Sequence, residues 1–289
     1  MTKGQVMSAL RLIPKAENRR PILLICPALF VLLLFYLYPV LRLFSSSFFD
    51  PDFTLKHYIY FFKNPLYSEI LFKTFTIALW VTVVSLILSY PVAYFLAEAK
   101  GKAQLLMLCI ILPFWTSLLV RTYAWMVLLQ LNGIINKGLM GMGLISEPIH
   151  LMYNTLGVMV GMVHVLLPFM VLPIYSVLKG IDKDLKLAAY TLGANELKAF
   201  LKVTLPLSLP GIGAGVIFVF VLSLGFFITP ALLGGPKVTM IANLIESQIN
   251  TLNNWNFAAA IALVLLAFTI LILGAFFKVI NIDRLAGKG

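Results

Sequence analysis

Apolar residues arrive along this chain in long blocks, without the two-residue alternation of a half-buried strand. Six blocks, near residues 22–44, 74–97, 105–130, 153–178, 208–233 and 257–280, run on with almost no charge. Each is long enough to cross about 30 Å of hydrocarbon as a helix. Within lipid every backbone donor and acceptor must find a partner inside the protein, which leaves helices or a closed barrel. Blocks of this length predict helices, so the chain reads as an all-α integral membrane protein with six transmembrane helices. The first block follows Arg19 and Arg20 as a secretory signal would. It is too long for that role, holds Pro27 and Pro39, lacks a small-x-small cleavage site and precedes five more blocks, so it reads as a retained span.

Composition agrees: 61% of residues are hydrophobic and only 11% charged, against about a quarter charged in soluble domains. The placement of Lys and Arg then sets the orientation. Fifteen of the 22 lie in the N-terminal tail (Lys3, Arg11, Lys15, Arg19, Arg20), the 2–3 connection (Lys100, Lys102), the 4–5 connection (Lys179, Lys183, Lys186, Lys198, Lys202) and the C-terminal tail (Lys278, Arg284, Lys288). Lys56, Lys63, Lys73, Lys137 and Lys237 fall on the other side. The bias predicts a cytoplasmic tail over 1–20, a six-helix domain over 21–281 and a cytoplasmic tail over 282–289. The net charge of +11 is thus a topology signal for a protein whose solvent is the bilayer. No basic patch on a folded domain suggests nucleic acid.

Catalytic and metal-binding patterns are missing from the sequence. His57, His150 and His164 are far apart, and Cys26 and Cys109 read as small hydrophobes buried within spans. Gly133 and Gly138 have the glycine spacing of a phosphate loop, but Leu139 stands where its lysine belongs. The chain therefore reads as a non-enzyme with no cofactor of its own. Its acids fall in loops, tails or helix ends, which disfavours a stand-alone secondary carrier or channel with an intramembrane coupling carboxylate.

The polar stretch between the fourth and fifth blocks is the distinctive one. Asn195 suits an N-cap and Glu196 the positive end of a helix dipole. Leu197, Phe200, Leu201 and Thr204 recur at helical spacing opposite Lys198 and Lys202, predicting an amphipathic helix stopped by Pro206. A shorter helical turn over 187–192 ends at Gly193, where positive φ costs little. By pattern alone the helix either lies on the membrane surface or seats its apolar ridge in a groove of a cytoplasmic partner.

The order Ala188-Ala189, Gly193-Ala194, Phe200, Val203, Leu205-Pro206, Pro210-Gly211 resembles the "EAA" loop of permease subunits of type I ABC importers, with Leu187 in place of the opening acid. "FTLKHYIYFFKNPLY", "LPFWTSLLVRTYAW" and "HVLLPFMVLPIYSVL" extend the resemblance along the chain, most of all to the spermidine/putrescine permease group. The resemblance implies a MetI-like transmembrane domain in the bacterial inner membrane. It implies pairing with a second homologous permease, two copies of an ABC ATPase that hold the ATP and magnesium, and an extracytoplasmic substrate-binding protein. It also implies that Ala188, Ala189, Gly193, Ala194, Glu196, Leu197, Phe200, Leu201, Val203 and Pro206, within a loop over 179–206, dock into the ATPase. The expected cargo is a small amine such as spermidine or putrescine, with GABA, an opine or another amino-acid-like ligand as the alternative.

A substrate path is expected near mid-membrane. At 100° per residue Trp115, Leu118, Arg121, Thr122 and Trp125 share one arc of the third span, and Ser223, Phe226, Phe227 and Pro230 one arc of the fifth. Tyr90 and Tyr94 add hydroxyl-bearing rings nearer the cytoplasm, and aromatic faces attract an ammonium. Arg121 lies in the outer third of its span and points either to the headgroups or to the cavity. His164, mid-span, calls for a hydrogen-bond partner on a neighbouring helix. Gly157–Gly161 and Gly211–Gly215 permit close packing, inside the chain or between subunits.

Overall fold

Helices take up every apolar block in the computed structural model, which describes residues 20–99 and 103–279. Most of both predicted tails, along with Lys100 and Lys102, lies outside the described residues. Six stretches are long and apolar enough to cross a membrane: Cys26–Ser46, Pro65–Glu98, Leu118–Gly141, Thr155–Gly180, Glu196–Leu224 and Trp255–Lys278. The first span is α1 (Arg20–Leu32) and α2 (Tyr38–Ser46), joined by a π turn over Leu33–Leu37. A short α3 (Lys56–Lys63) leads into α4 (Pro65–Glu98), the second span. The third crossing is assembled from α5 (Ala103–Ile111), a 3-10 turn (Leu112–Trp115) and α6 (Leu118–Leu129), followed by α7 (Ile134–Gly141). The fourth span is α8 (Thr155–Gly180). Then come α9 (Lys183–Thr191), α10 (Glu196–Ala199), α11 (Leu205–Leu224), α12 (Ile241–Asn250) and the last span, α13 (Trp255–Val279).

Three of the predicted blocks change shape. The second begins at Pro65 rather than 74, because the Asn64 side chain accepts from Leu66 N–H at 3.1 Å and Pro65 fits the first turn. Its 34 residues rise about 51 Å, so α4 projects beyond the hydrocarbon. The block at 105–130 breaks, since Pro113 brings no N–H and Thr116 and Ser117 are extended. The block at 208–233 ends at Leu224. Phe226 and Phe227 leave the helix, and the Phe227 carbonyl accepts from both Ala231 N–H and Asn243 Nδ2 at 3.0 Å. That is the kind of internal replacement that irregular backbone at membrane depth requires.

The centre is a three-helix contact of α4, α8 and α11. Ile77 and Val81 of α4, Met162, Leu166, Met170 and Ile174 of α8, and Val219 of α11 are shielded there. A second cluster at the other end joins Phe61, Tyr67, Ile70 and Leu71 to Ile241, Leu244, Phe257 and Ile261. The first span buries no described residue along its crossing and touches the bundle through α2 against α13. Cys26 and Cys109 are exposed on the bundle's outside, contrary to the buried reading. Lipid is as apolar as a leucine side chain, so outward-facing cysteines and leucines incur no penalty here.

Glycine spacing resolves into internal contacts. A Cβ on Gly211 would stand 2.9 Å from the Pro173 carbonyl and 3.0 Å from Ile174 Cα, and one on Gly215 would stand 2.7 Å from Met170 Sδ. Both therefore let α11 lie against the α8 backbone. A Cβ on Gly161 would meet Leu233 and Thr229 at 2.6 Å, so that glycine serves the turn after α11. Because helices in lipid associate through close packing, any side chain at Gly211 pushes backbone from backbone. Gly211→Val should destabilise the fold by about 1–3 kcal/mol. The check is the thermal midpoint of the detergent-purified protein, with Gly213→Ala, whose Cβ meets nothing within 4 Å, as the tolerated control.

Candidate functional site

The loop between α8 and α11 builds itself from local caps. Asp182 accepts from Asp184 N–H at 3.0 Å to start α9, and Asn195 accepts from Lys198 N–H at 2.9 Å to start α10. Between them Gly193 turns the chain at φ +80°, a left-handed value that side-chain-bearing residues resist. The predicted stop at Pro206 does not occur. Phe200–Thr204 forms a π turn in which Leu205 N–H reaches the Phe200 carbonyl. This wider turn absorbs the proline, and α10 runs on into α11 as one continuous rod from Glu196 to Leu224.

The predicted apolar ridge splits across that rod. Phe200 turns inward and meets Tyr90 and Tyr94 of α4 edge-on, with ring centroids 5.9 and 5.5 Å away. The Tyr90 hydroxyl lies 3.0 Å from Ser208 Oγ of α11. Tyr90 and Tyr94, expected on the substrate path, here hold the loop to α4. Thr204 and Ala199 are buried, Val203 is half-buried, and Ala189 and Ala194 are partly covered. Ala188, Glu196, Leu197, Leu201 and Pro206 face outward. Leu192 is 88% exposed, Leu197 63% and Leu201 50%, which leaves an apolar rim on the tip of the loop.

One anchor has no sequence signature. Lys186 of α9 bonds Glu98 Oε1 at 2.6 Å and the Tyr94 hydroxyl at 2.9 Å, and its ammonium stands 5.2 Å from the Tyr94 ring centroid. The partners are 88 and 92 residues away, beyond the reach of any local spacing rule. The group borders a hollow of about 300 Å³ lined also by Lys179, Asp182, Tyr190 and Val203. Burial by itself would lower the Lys186 pKa. The hydrogen bonds from Glu98 and Tyr94 and the carboxylate's attraction outweigh it and raise the value above the ordinary 10.5. A raised folded value stabilises fully below about 10.5 and fades only as pH climbs through the raised value, so the latch holds throughout the physiological range.

The candidate path residues scatter. Trp115 sits on the 3-10 turn beyond the helix break, 88% exposed and off the arc of α6. Thr122 is buried, donating to the Leu118 carbonyl at 2.9 Å and standing 3.3 Å from Thr229 Oγ1. Ser223 is buried and donates to the Val219 carbonyl at 2.7 Å. Phe226 packs against the main core, while Phe227 and Pro230 line a separate hollow with Asn243 and Glu246. The fifth-span arc is thus dispersed, because α11 ends between its first member and the rest. Trp125 alone opens onto a large cleft of about 620 Å³ between α4, α6 and α8. There its ring meets His164 edge-on at 5.6 Å, a ring contact in place of the expected hydrogen bond to a neighbouring helix.

The latch carries a direct test. Lys186→Met should quicken amide exchange across Lys183–Thr191 several-fold. The swapped pair Lys186→Glu with Glu98→Lys should restore protection, and unchanged exchange in the single variant would show that the latch holds nothing.

Comparisons with known proteins bear on the same frame. Residues 89–286 match the family described as "Binding-protein-dependent transport system inner membrane component". The chain is 38% identical over 243 residues to the spermidine/putrescine transport system permease protein PotB of Escherichia coli K12, covering 81% of this chain and 88% of that one. PotB of Haemophilus influenzae is 36% identical over 235 residues, covering 81% and 82%. The inner membrane ABC transporter permease protein YdcU of Escherichia coli K12 is 36% identical over 229 residues, covering 74% and 72%. In fold, a chain of the bacterial alginate ABC transporter, crystallised with an alginate pentasaccharide-bound periplasmic protein, superposes with a TM-score of 0.73 at 16% identity over 87% of this chain and 90% of that one. This chain therefore belongs to the family of binding-protein-dependent transport system inner membrane components, as a multi-pass permease subunit of an ABC importer.

Proposed function

We propose that this permease carries a small amine of the spermidine/putrescine class inward, as half of a membrane domain completed by a second, homologous permease. The observation that carries the substrate class is the 38% identity with PotB over 81% of the chain. Two copies of an ABC ATPase supply the nucleotide site with its ATP and magnesium, and an extracytoplasmic binding protein delivers cargo. The excess of Lys and Arg in the loop over 179–206 and in the tails supports a cytoplasmic position for those segments.

The loop geometry supports a lever. The apolar rim of Leu192, Leu197 and Leu201 is the kind of surface a groove on the ATPase would accept. Force applied there enters a rod that continues into the membrane as α11, because the π turn at Phe200–Thr204 replaces a helix end. Phe200, wedged on Tyr90 and Tyr94, and Lys186, held by Glu98, tie the same movement to α4. The Gly211 and Gly215 contacts pass it to α8. ATP-driven closure of the ATPase pair then moves α4, α8 and α11 as one body and opens the outward cavity.

Two sets of variants test this in the reconstituted importer. Leu197→Asp and Leu201→Asp alter exposed positions, so the amount inserted should be unchanged. Co-purifying ATPase should fall at least tenfold. Gly193→Pro, which cannot reach φ +80°, should keep hydrolysis but lose most ATP-driven putrescine uptake. Full uptake in all three would sink the lever, and uptake without any ATPase would sink the importer reading.

A further inference from the structure

Along α6 the described residues fall into two stripes. Leu119, Val120, Tyr123 and Val127 are exposed. Leu118, Arg121, Thr122, Trp125, Met126 and Leu129 are buried or half-buried. Their offsets of 0, 3, 4, 7, 8 and 11 mark one face of a helix. Arg121 therefore stands on the inner stripe, one turn from Trp125 and facing the bundle, away from the lipid-facing side that would allow snorkelling. Its Nε is closed off from solvent and has no hydrogen-bond acceptor. Among the described residues no carboxylate lies within ion-pair distance of it. His164 faces the same helix, its ring centroid 5.6 Å from that of Trp125, and when protonated it carries the same sign as Arg121. His164 and Trp125 both line the 620 Å³ cleft.

Arg121 is half-buried with its Nε shut off from solvent and unpaired, and intramembrane charges are retained where something pairs with them. The five donors of Arg form a fork that matches a carboxylate. We infer that Arg121 is the receptor for the carboxylate of an amine cargo, held beside Trp125 and His164, so that this permease passes amino-carboxylates as well as, or in preference to, pure polyamines. Trp125, one turn along, offers the ring face that an ammonium prefers. A cargo with a carboxylate at one end and an ammonium at the other thus meets both groups along one helix face. The inference rests on the importer reading above and narrows its substrate class.

The test uses two probes of nearly equal length, putrescine and 4-aminobutyrate, which differ in having an ammonium or a carboxylate at one end. In the complete importer reconstituted in liposomes, Arg121→Gln should lower ATP-driven 4-aminobutyrate uptake at least tenfold more than putrescine uptake. Arg121→Lys, which keeps the charge but loses the fork, should fall between. Equal loss of both probes, together with loss of the second permease on purification, would assign the carboxylate to the neighbouring subunit and overturn the inference. So would equal loss that disappears when anionic lipid is raised, which marks a headgroup contact, or no change at all. If the unaltered importer moves neither probe, the polyamine reading fails by itself. Thermal stabilisation then decides Arg121: 4-aminobutyrate should raise the midpoint of the unaltered complex and not that of Arg121→Gln, and an equal shift in both would refute the assignment.

Discussion

The close approach of α11 to α8 at Gly211 and Gly215 is the contact on which the rest of the structure depends. Helices that share a lipid solvent gain nothing from burying apolar surface against each other, so they associate through tight packing and local polar bonds. Two glycines let the α11 backbone lie on Pro173, Ile174 and Met170. Ser89 Oγ of α4 then reaches the Leu167 carbonyl of α8 at 3.3 Å. The shielded residues of the core gather around this triple contact, and the other spans are arranged about it.

That rigid trio explains the placing of the loop. A loop helix ending at Pro206 could swing without disturbing the membrane part. A π turn instead joins α10 to α11, and one rod runs from the exposed leucines to the packed glycines. Phe200 and Lys186 fasten the loop to α4 from two sides, one by ring contacts and the other by an ion pair. The pair is only partly shielded, with Glu98 more than half exposed, so its use lies in direction more than in energy.

The third crossing follows a different logic. Its break at Thr116–Ser117 divides a helix that would otherwise present one continuous aromatic arc. Trp115 is left outside, while Thr122 is sealed against Thr229 and Trp125 opens onto the cleft. The strongly polar group of α6, Arg121, shares the inner stripe. An inward-facing charge of this kind is the usual mark of a working residue in a membrane protein.

Much was legible in the sequence because lipid imposes simple rules. Block length gave the six crossings, the Asn195 cap and the Gly193 turn were readable within a few residues, and the EAA-like order identified the loop. These are local properties, set by the backbone's need for partners and by short-range sterics. Helix ends at 64, 116 and 224 are not legible because hydropathy continues through them, whereas the partners of the backbone groups there include side chains such as Asn64 and Asn243. The Lys186–Glu98 pair, the inward turn of Phe200 and the stripe that holds Arg121 depend on residues brought together from far along the chain. Sequence alone determined that this chain crosses a membrane six times and carries a polar loop of EAA-like order between its fourth and fifth spans. Only tertiary packing decided which faces meet, since an apolar helix in an apolar solvent has no local reason to prefer one side.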